Sequence, residues 1–125
     1  MLGDKDAIAM IAVRDLGAAA EFYQGILGLE KLESPAEQVL LFRSGGAKLN
    51  VYRSEFAGTN KATTIMWNVG SELEAIAARL KAKGVEFEHY NMPGLTLEGD
   101  IHVGERMKVA WFKDADGNIL SIVSG

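Results

Sequence analysis

Two punctuation marks recur in this chain at a single offset. Val69 follows Val13, and Gly84 follows Gly28, each 56 residues later. Around each valine an apolar, branched run ends and a helix-forming stretch begins. Around each glycine that stretch stops. A period of this length argues for a duplicated supersecondary unit. Each half, at about 60 residues, is too short to bury much surface alone, so the halves are expected to pack as a pair.

The first unit begins with a predicted strand over Ala7–Val13. Asp15 offers an N-cap, and Leu16, Ala19, Phe22, Tyr23 and Ile26 recur on one face of a helix over Leu16–Leu27. Gly28 suits its C-terminus. A short strand over Leu29–Leu32 follows, then a hairpin of Val39–Arg43 and Lys48–Arg53 turned at Ser44-Gly45-Gly46. The polar stretch Ser54–Lys61 reads as a connector. The second unit repeats the order: a strand over Ala62–Val69, a helix over Glu72–Lys83 capped by Ser71, a strand over Val85–Tyr90, and a hairpin of Lys108–Lys113 and Asn118–Val123. The expected organisation is one domain with modules at 7–53 and 62–123, joined by 54–61. Residues Tyr90–Gly104, with Pro93 and three glycines, form either a lid or an ordinary irregular connection.

Composition narrows the function classes. The 125 residues include no cysteine, which excludes thiolate metal sites and a cysteine nucleophile. Thirteen Lys and Arg against seventeen Asp and Glu give a net charge of −4, without the broad positive field that nucleic acid demands. The longest apolar run, Ala7–Val13, is far short of the roughly 20 residues a bilayer span needs. No signal peptide is evident at Met1–Lys5. The expectation is a cytoplasmic protein with no nucleic-acid or membrane partner.

Several motifs together carry a resemblance. Val13-Arg14-Asp15-Leu16, Phe22-Tyr23 and Leu27-Gly28-Leu29 resemble the first module of the vicinal oxygen chelate superfamily, which includes glyoxalase I, bleomycin-resistance proteins and extradiol dioxygenases. The run Ala110 to Leu120, with Asp114-Ala115-Asp116-Gly117-Asn118, resembles the hairpin of its second module. Ala57-Gly58-Thr59, Gly84-Val85-Glu86-Phe87 and Pro93-Gly94 match a common branch of uncharacterised members. The resemblance implies an α+β fold of two βαβββ modules that form a cupped mixed sheet around a cavity. It also implies a homodimer.

Metal-using members of that superfamily carry four ligands on module strands. The resemblance maps them onto Ile8, Asn50, Thr64 and Ser121. Divalent metals in such sites want imidazole and carboxylate. Isoleucine cannot ligate, and neutral amide and hydroxyl oxygens bring no charge. Neither a metal nor any other cofactor is expected.

Strand alternation extends the inward set from those four positions. Met10, Tyr52, Met66, Asn68 and Trp111 join Ile8, Asn50, Thr64 and Ser121 as expected ligand-binding residues. Such a lining suits a small, largely apolar or aromatic molecule, held by stacking and a few directed hydrogen bonds. The competing reading is a filled core in which the methionines and Trp111 only occupy space. The expected function is metal-independent binding of a small molecule, of sequestration or resistance type. The alternative is a lyase, isomerase or dioxygenase-like enzyme using His89, Tyr90, His102, Glu105 or Lys108 as acid–base groups at the pocket edge. His89 and His102 read first as surface or rim residues. The acidic residues Glu86, Glu88, Glu98, Asp100 and Glu105 read as a solvated rim.

Overall fold

A computed structural model describes all 125 residues. The chain divides into two compact units, residues 1–57 and 58–125. No helix is long and apolar enough to cross a membrane.

The first unit runs β1 (Ala9–Val13), α1 (Leu16–Ala20), a π-helical turn (Glu21–Ile26), β2 (Glu30–Leu32), β3 (Val39–Ser44) and β4 (Ala47–Arg53). Its sheet order is β1-β4-β3-β2, with β1 parallel to β4 and the other pairs antiparallel. Asp15 caps α1 as its position suggested, accepting from the amides of Gly17 at 2.9 Å and Ala18 at 3.1 Å. The continuous α-helix expected over Leu16–Leu27 is corrected: its second half is a π turn, with the Leu27 amide donating to the Phe22 carbonyl at 2.9 Å. The wider turn swings adjacent side chains through a smaller angle, and Phe22 and Tyr23 are both buried. Tyr23 packs on Phe42, ring centroids 5.9 Å apart. Ile11, Val13, Leu49 and Val51 complete this core.

The second unit runs β5 (Thr63–Asn68), a 3₁₀ turn (Gly70–Glu72), α2 (Leu73–Ala82), β6 (Phe87–Glu88), β7 (Thr96–Glu98), β8 (Ile101–Val103), β9 (Lys108–Lys113) and β10 (Ile119–Ser124). The sheet order is β5-β10-β9-β8-β7, with β5 parallel to β10 and β6 also paired to β9. Phe112, Ala110, Leu120 and Ile122 form the buried face beneath α2, which contributes Leu73, Ala77 and Leu80.

Two expectations need correction here. Ser71 is not a helix cap; it lies in the 3₁₀ turn, and α2 starts at Leu73 without a side-chain capping bond. Gly70 enters that turn with φ of 56°, and its amide is taken instead by Asn68 Oδ1 at 3.1 Å. The segment Tyr90–Gly104 is not irregular throughout. It holds the antiparallel β7–β8 hairpin, turned at Gly99-Asp100, and β8 joins the sheet.

The pairing along β9 explains this segment. Glu88 faces Trp111, and His102 faces Val109. Ile101 therefore stands where the residue after Glu88 would stand in an unbroken strand, opposite Ala110. β6 and β8 are two parts of one strand, and residues 89–100 are an excursion from it. The first and last residues of the excursion meet, with His89 Nε2 donating to Asp100 Oδ1 at 2.8 Å. Lys81 Nζ reaches the other oxygen of Asp100 at 3.2 Å. In the first unit, β2 pairs with β3 without such a break.

Candidate ligand-binding site

Strand register sorts the side chains of the second unit onto two faces. Trp111 lies opposite Ser121, which lies opposite Met66; Val109 lies opposite Val123 and His102. These residues share the sheet face turned away from α2. The alternation of β5 is broken by a register shift between Ile119 and Leu120, which sets Thr63 opposite Ile119. Bulges re-aim side chains in this way. Thr63 Oγ1 consequently accepts a hydrogen bond from Trp111 Nε1 at 3.1 Å.

At this end of the sheet lies an open cleft of about 390 Å³. Trp111 and Tyr90 form its aromatic walls, with Lys61, Ala62, Thr63, Met92 and Ile119 around them. The volume falls in the range of small-molecule pockets, roughly 300–1,000 Å³. Tyr90 and Met92 come from the excursion 89–100. Tyr90 and Trp111 meet edge to face with centroids 5.3 Å apart. Burial, reinforced by the negative charge of Glu88, raises the Tyr90 phenol above its ordinary pKa. At neutral pH it is therefore a hydrogen-bonding O–H and not a base.

Behind these two rings sits His102. It is 1% exposed, and its imidazole meets the indole of Trp111 edge to face at 4.8 Å. The Tyr90 amide donates to His102 Nε2 at 2.9 Å. The surface or rim placement expected for His102 is thus corrected: it faces inward from β8, in the alternation Ile101-His102-Val103. His102 Nδ1 and Ser121 Oγ are buried without a hydrogen-bond partner.

The structure distributes the other predicted residues as follows. Met66 is 60% exposed on the Trp111 face, Thr64 is half-buried beside the bulge, and the Asn68 side chain is occupied by Gly70. In the first unit, Met10 pairs with Asn50, and Tyr52 pairs with Ala12, on the face opposite the buried Ile11 and Val51. Met10 is 55% exposed and Ile8, just before β1, 48%. Asn50 Oδ1 is buried without a partner. Of the five acid–base candidates, only Tyr90 lines the cleft, with His102 behind it. His89 is tied to Asp100, Lys108 pairs with Glu74 of α2 at 3.1 Å, and Glu105 is exposed in the turn before β9.

Sequence alternation missed Thr63, Lys61 and Met92. The bulge that turns Thr63 toward Trp111 leaves no mark in the residue pattern. Met92 would have been found only by placing residues 89–100 beside β5.

The donor chemistry of the four mapped positions does not fit a divalent metal. They offer one aliphatic side chain, one amide and two hydroxyls. Nor does any cluster of three or more His, Asp or Glu side chains stand close enough to hold one.

The model of the Glyoxalase/Bleomycin resistance protein/Dioxygenase superfamily matches residues 7–122. The chain belongs to this superfamily. No curated protein matches it. Among solved structures it is similar to an integron cassette protein from the mobile metagenome of a Halifax Harbour sewage outfall, at 18% identity and a TM-score of 0.72, covering 98% of this chain and 99% of that one. It is also similar to TnmS3, an antibiotic binding protein from Streptomyces sp. CB03234, at 21% identity and a TM-score of 0.68, covering 98% and 96%. A third is the fosfomycin resistance protein FosX from Listeria monocytogenes, complexed with Mn(II) and sulfate, at 20% identity and a TM-score of 0.72, covering 100% and 92%. At these identities the likeness establishes the superfamily fold, which hosts several chemistries.

Proposed function

We propose that this protein binds a small, largely apolar or aromatic molecule without a metal, as a sequestering or resistance-type binder. The observation that carries this reading is the cleft of about 390 Å³ walled by Trp111, Tyr90 and Met92, with no group of metal-ligating side chains. Aromatic walls recognise a planar ligand by stacking, and a few polar atoms fix its orientation. The antibiotic binding reported for TnmS3 is in keeping with such a role. The catalytic alternative finds less support, because the phenol of Tyr90 holds its proton and His102 is covered. We extend the reading to a cytoplasmic homodimer, for which the exposed Met10 and Met66 supply apolar area.

Native mass spectrometry of freshly purified protein, with metal analysis on the same sample, tests the proposal. The expected result is a metal-free dimer that takes up aromatic ligands from an added panel. A stoichiometric divalent metal refutes metal independence. Failure to bind any member of the panel refutes the binding role.

A further inference from the structure

The residues around the cleft are one-sided in their polar chemistry. Lys61 is the one charged residue that lines it. Thr63 and Tyr90 bring hydroxyls, and the rest are apolar or aromatic. No carboxylate and no side-chain amide stands among them. The indole N–H of Trp111 is spent on Thr63 Oγ1 at 3.1 Å. That bond occupies a lone pair of the threonine oxygen and leaves its O–H without an acceptor in the chain. The phenol O–H of Tyr90 also makes no hydrogen bond within the protein. An ammonium offers donors only, and both hydroxyls have a donor to spare.

The charge of Lys61 is uncompensated. Its ammonium forms no ion pair or hydrogen bond with the rest of the chain. On the Trp111 face the register sets Lys113 beside Ile119 and Glu88 beside Trp111, and these two neutralise each other at 3.4 Å. The local balance is therefore positive, although the whole chain carries −4. Charges farther away than about 8 Å are largely screened at physiological salt. Aromatic faces alone also attract cations. A lysine among the lining residues opposes a cation and favours an anion, and its four-carbon stem lets the ammonium follow the ligand.

Building on the binding role proposed above, we infer that Lys61 determines the specificity of this cleft and that its ligand class is a planar aromatic carboxylate, with the ring against Trp111 and Tyr90 and the charge at Lys61. The Thr63 hydroxyl is a second donor for the same group. Stacking then supplies retention, and Lys61 supplies the choice between ligands of one shape.

Three probes of nearly one shape separate the inference from the reading beneath it. At neutral pH 2-naphthoate is an anion, 2-naphthamide is neutral and 2-naphthamidine is a cation. Equilibrium dialysis of the full chain should rank them in that order, with naphthoate about fivefold tighter than naphthamide, the scale of an exposed ion pair. The gap should shrink between about 20 mM and about 500 mM salt. Lys61→Gln, at an exposed position, should bring naphthoate within about twofold of naphthamide. Equal binding of the three by the wild type, tighter binding of the amidine, or a naphthoate preference that survives in Lys61→Gln would overturn the role of Lys61 and leave aromatic binding standing. Binding of none of the three would count against the aromatic site itself, and the inference would fall with it.

Discussion

Gly58 opens the second unit, and its backbone tests how the cleft is held together. Its φ is 70°, and a side chain there would collide with the carbonyl oxygen of Asp116 and lie 3.2 Å from the carbonyl carbon. Asp116 belongs to the β9–β10 turn, which Asp114 organises by accepting from the amides of Asp116 and Asn118 at 2.9 Å each and from Asn118 Nδ2 at 2.8 Å. The approach of Gly58 to this turn sets the connector, and hence Lys61 to Thr63, against Trp111 and Ile119. Gly58→Ala carries two costs. The left-handed backbone costs about 1–2 kcal/mol for a residue with a Cβ. Forcing turn and connector apart costs about 1–3 kcal/mol more, as in overpacked cores. Gly28→Ala supplies the control. Its φ is similar, 77°, but a Cβ there meets nothing within 4 Å, so only the first cost applies. Urea unfolding of the two variants beside the wild type reads the difference. Gly58→Ala should lose about 2–5 kcal/mol and Gly28→Ala about 1–2 kcal/mol. Equal losses would mean that the close approach of connector and turn contributes nothing.

Other positions give independent checks. The carboxyl of Asp100 is held below its ordinary pKa by the hydrogen bond from His89 and then by that from Lys81. A depressed carboxylate contributes stability above its unfolded pKa, near 4, and loses it as pH falls through the folded value. Asp100→Asn should therefore narrow the gap between urea midpoints at pH 7 and pH 3; an unchanged gap would remove the neck of the excursion from the acid response. Phe112→Ala deletes a ring that is 1% exposed beneath α2 and should cost about 3–5 kcal/mol in the same assay. A loss under 1 kcal/mol would contradict the assigned core. Lys108→Ala breaks an exposed ion pair on the α2 side, so stability should change by less than about 1 kcal/mol and ligand affinity by less than twofold. A large loss of affinity would restore Lys108 to the site.

Much of the scaffold is written in local signals. Val13, Asp15 and Gly28 mark the first strand, helix start and helix end, and Val69 and Gly84 repeat two of them. The Asp114-to-Asn118 run marks a hairpin because its side chains satisfy its own turn. What stayed hidden depends on partners distant in sequence. The π turn answers the need to bury Phe22 and Tyr23 together, and its residues still show ordinary helical periodicity. The β7–β8 hairpin did have a signal in Gly99-Asp100, flanked by Leu97 and Ile101, but Pro93 and the nearby glycines argued for a loop. The inward turn of Thr63 comes from a bulge, and the burial of His102 from the rings of Trp111 and Tyr90 closing over it. The candidate site is thus less legible than the scaffold, because it is made where the chain departs from alternation.

The split strand formed by β6 and β8 bears on how such a protein can be altered over generations. Since Ile101 resumes the register that Glu88 leaves, the β9 ladder does not depend on the length of what lies between them. Insertions, deletions or wholesale exchange of residues 89–100 would rewrite Tyr90 and Met92 without a single change to the hydrogen-bond ladder of β9. One wall of the cleft and the ladder of β9 are thereby inherited through separate stretches of the gene, and a lineage can gamble with the first while the second is kept.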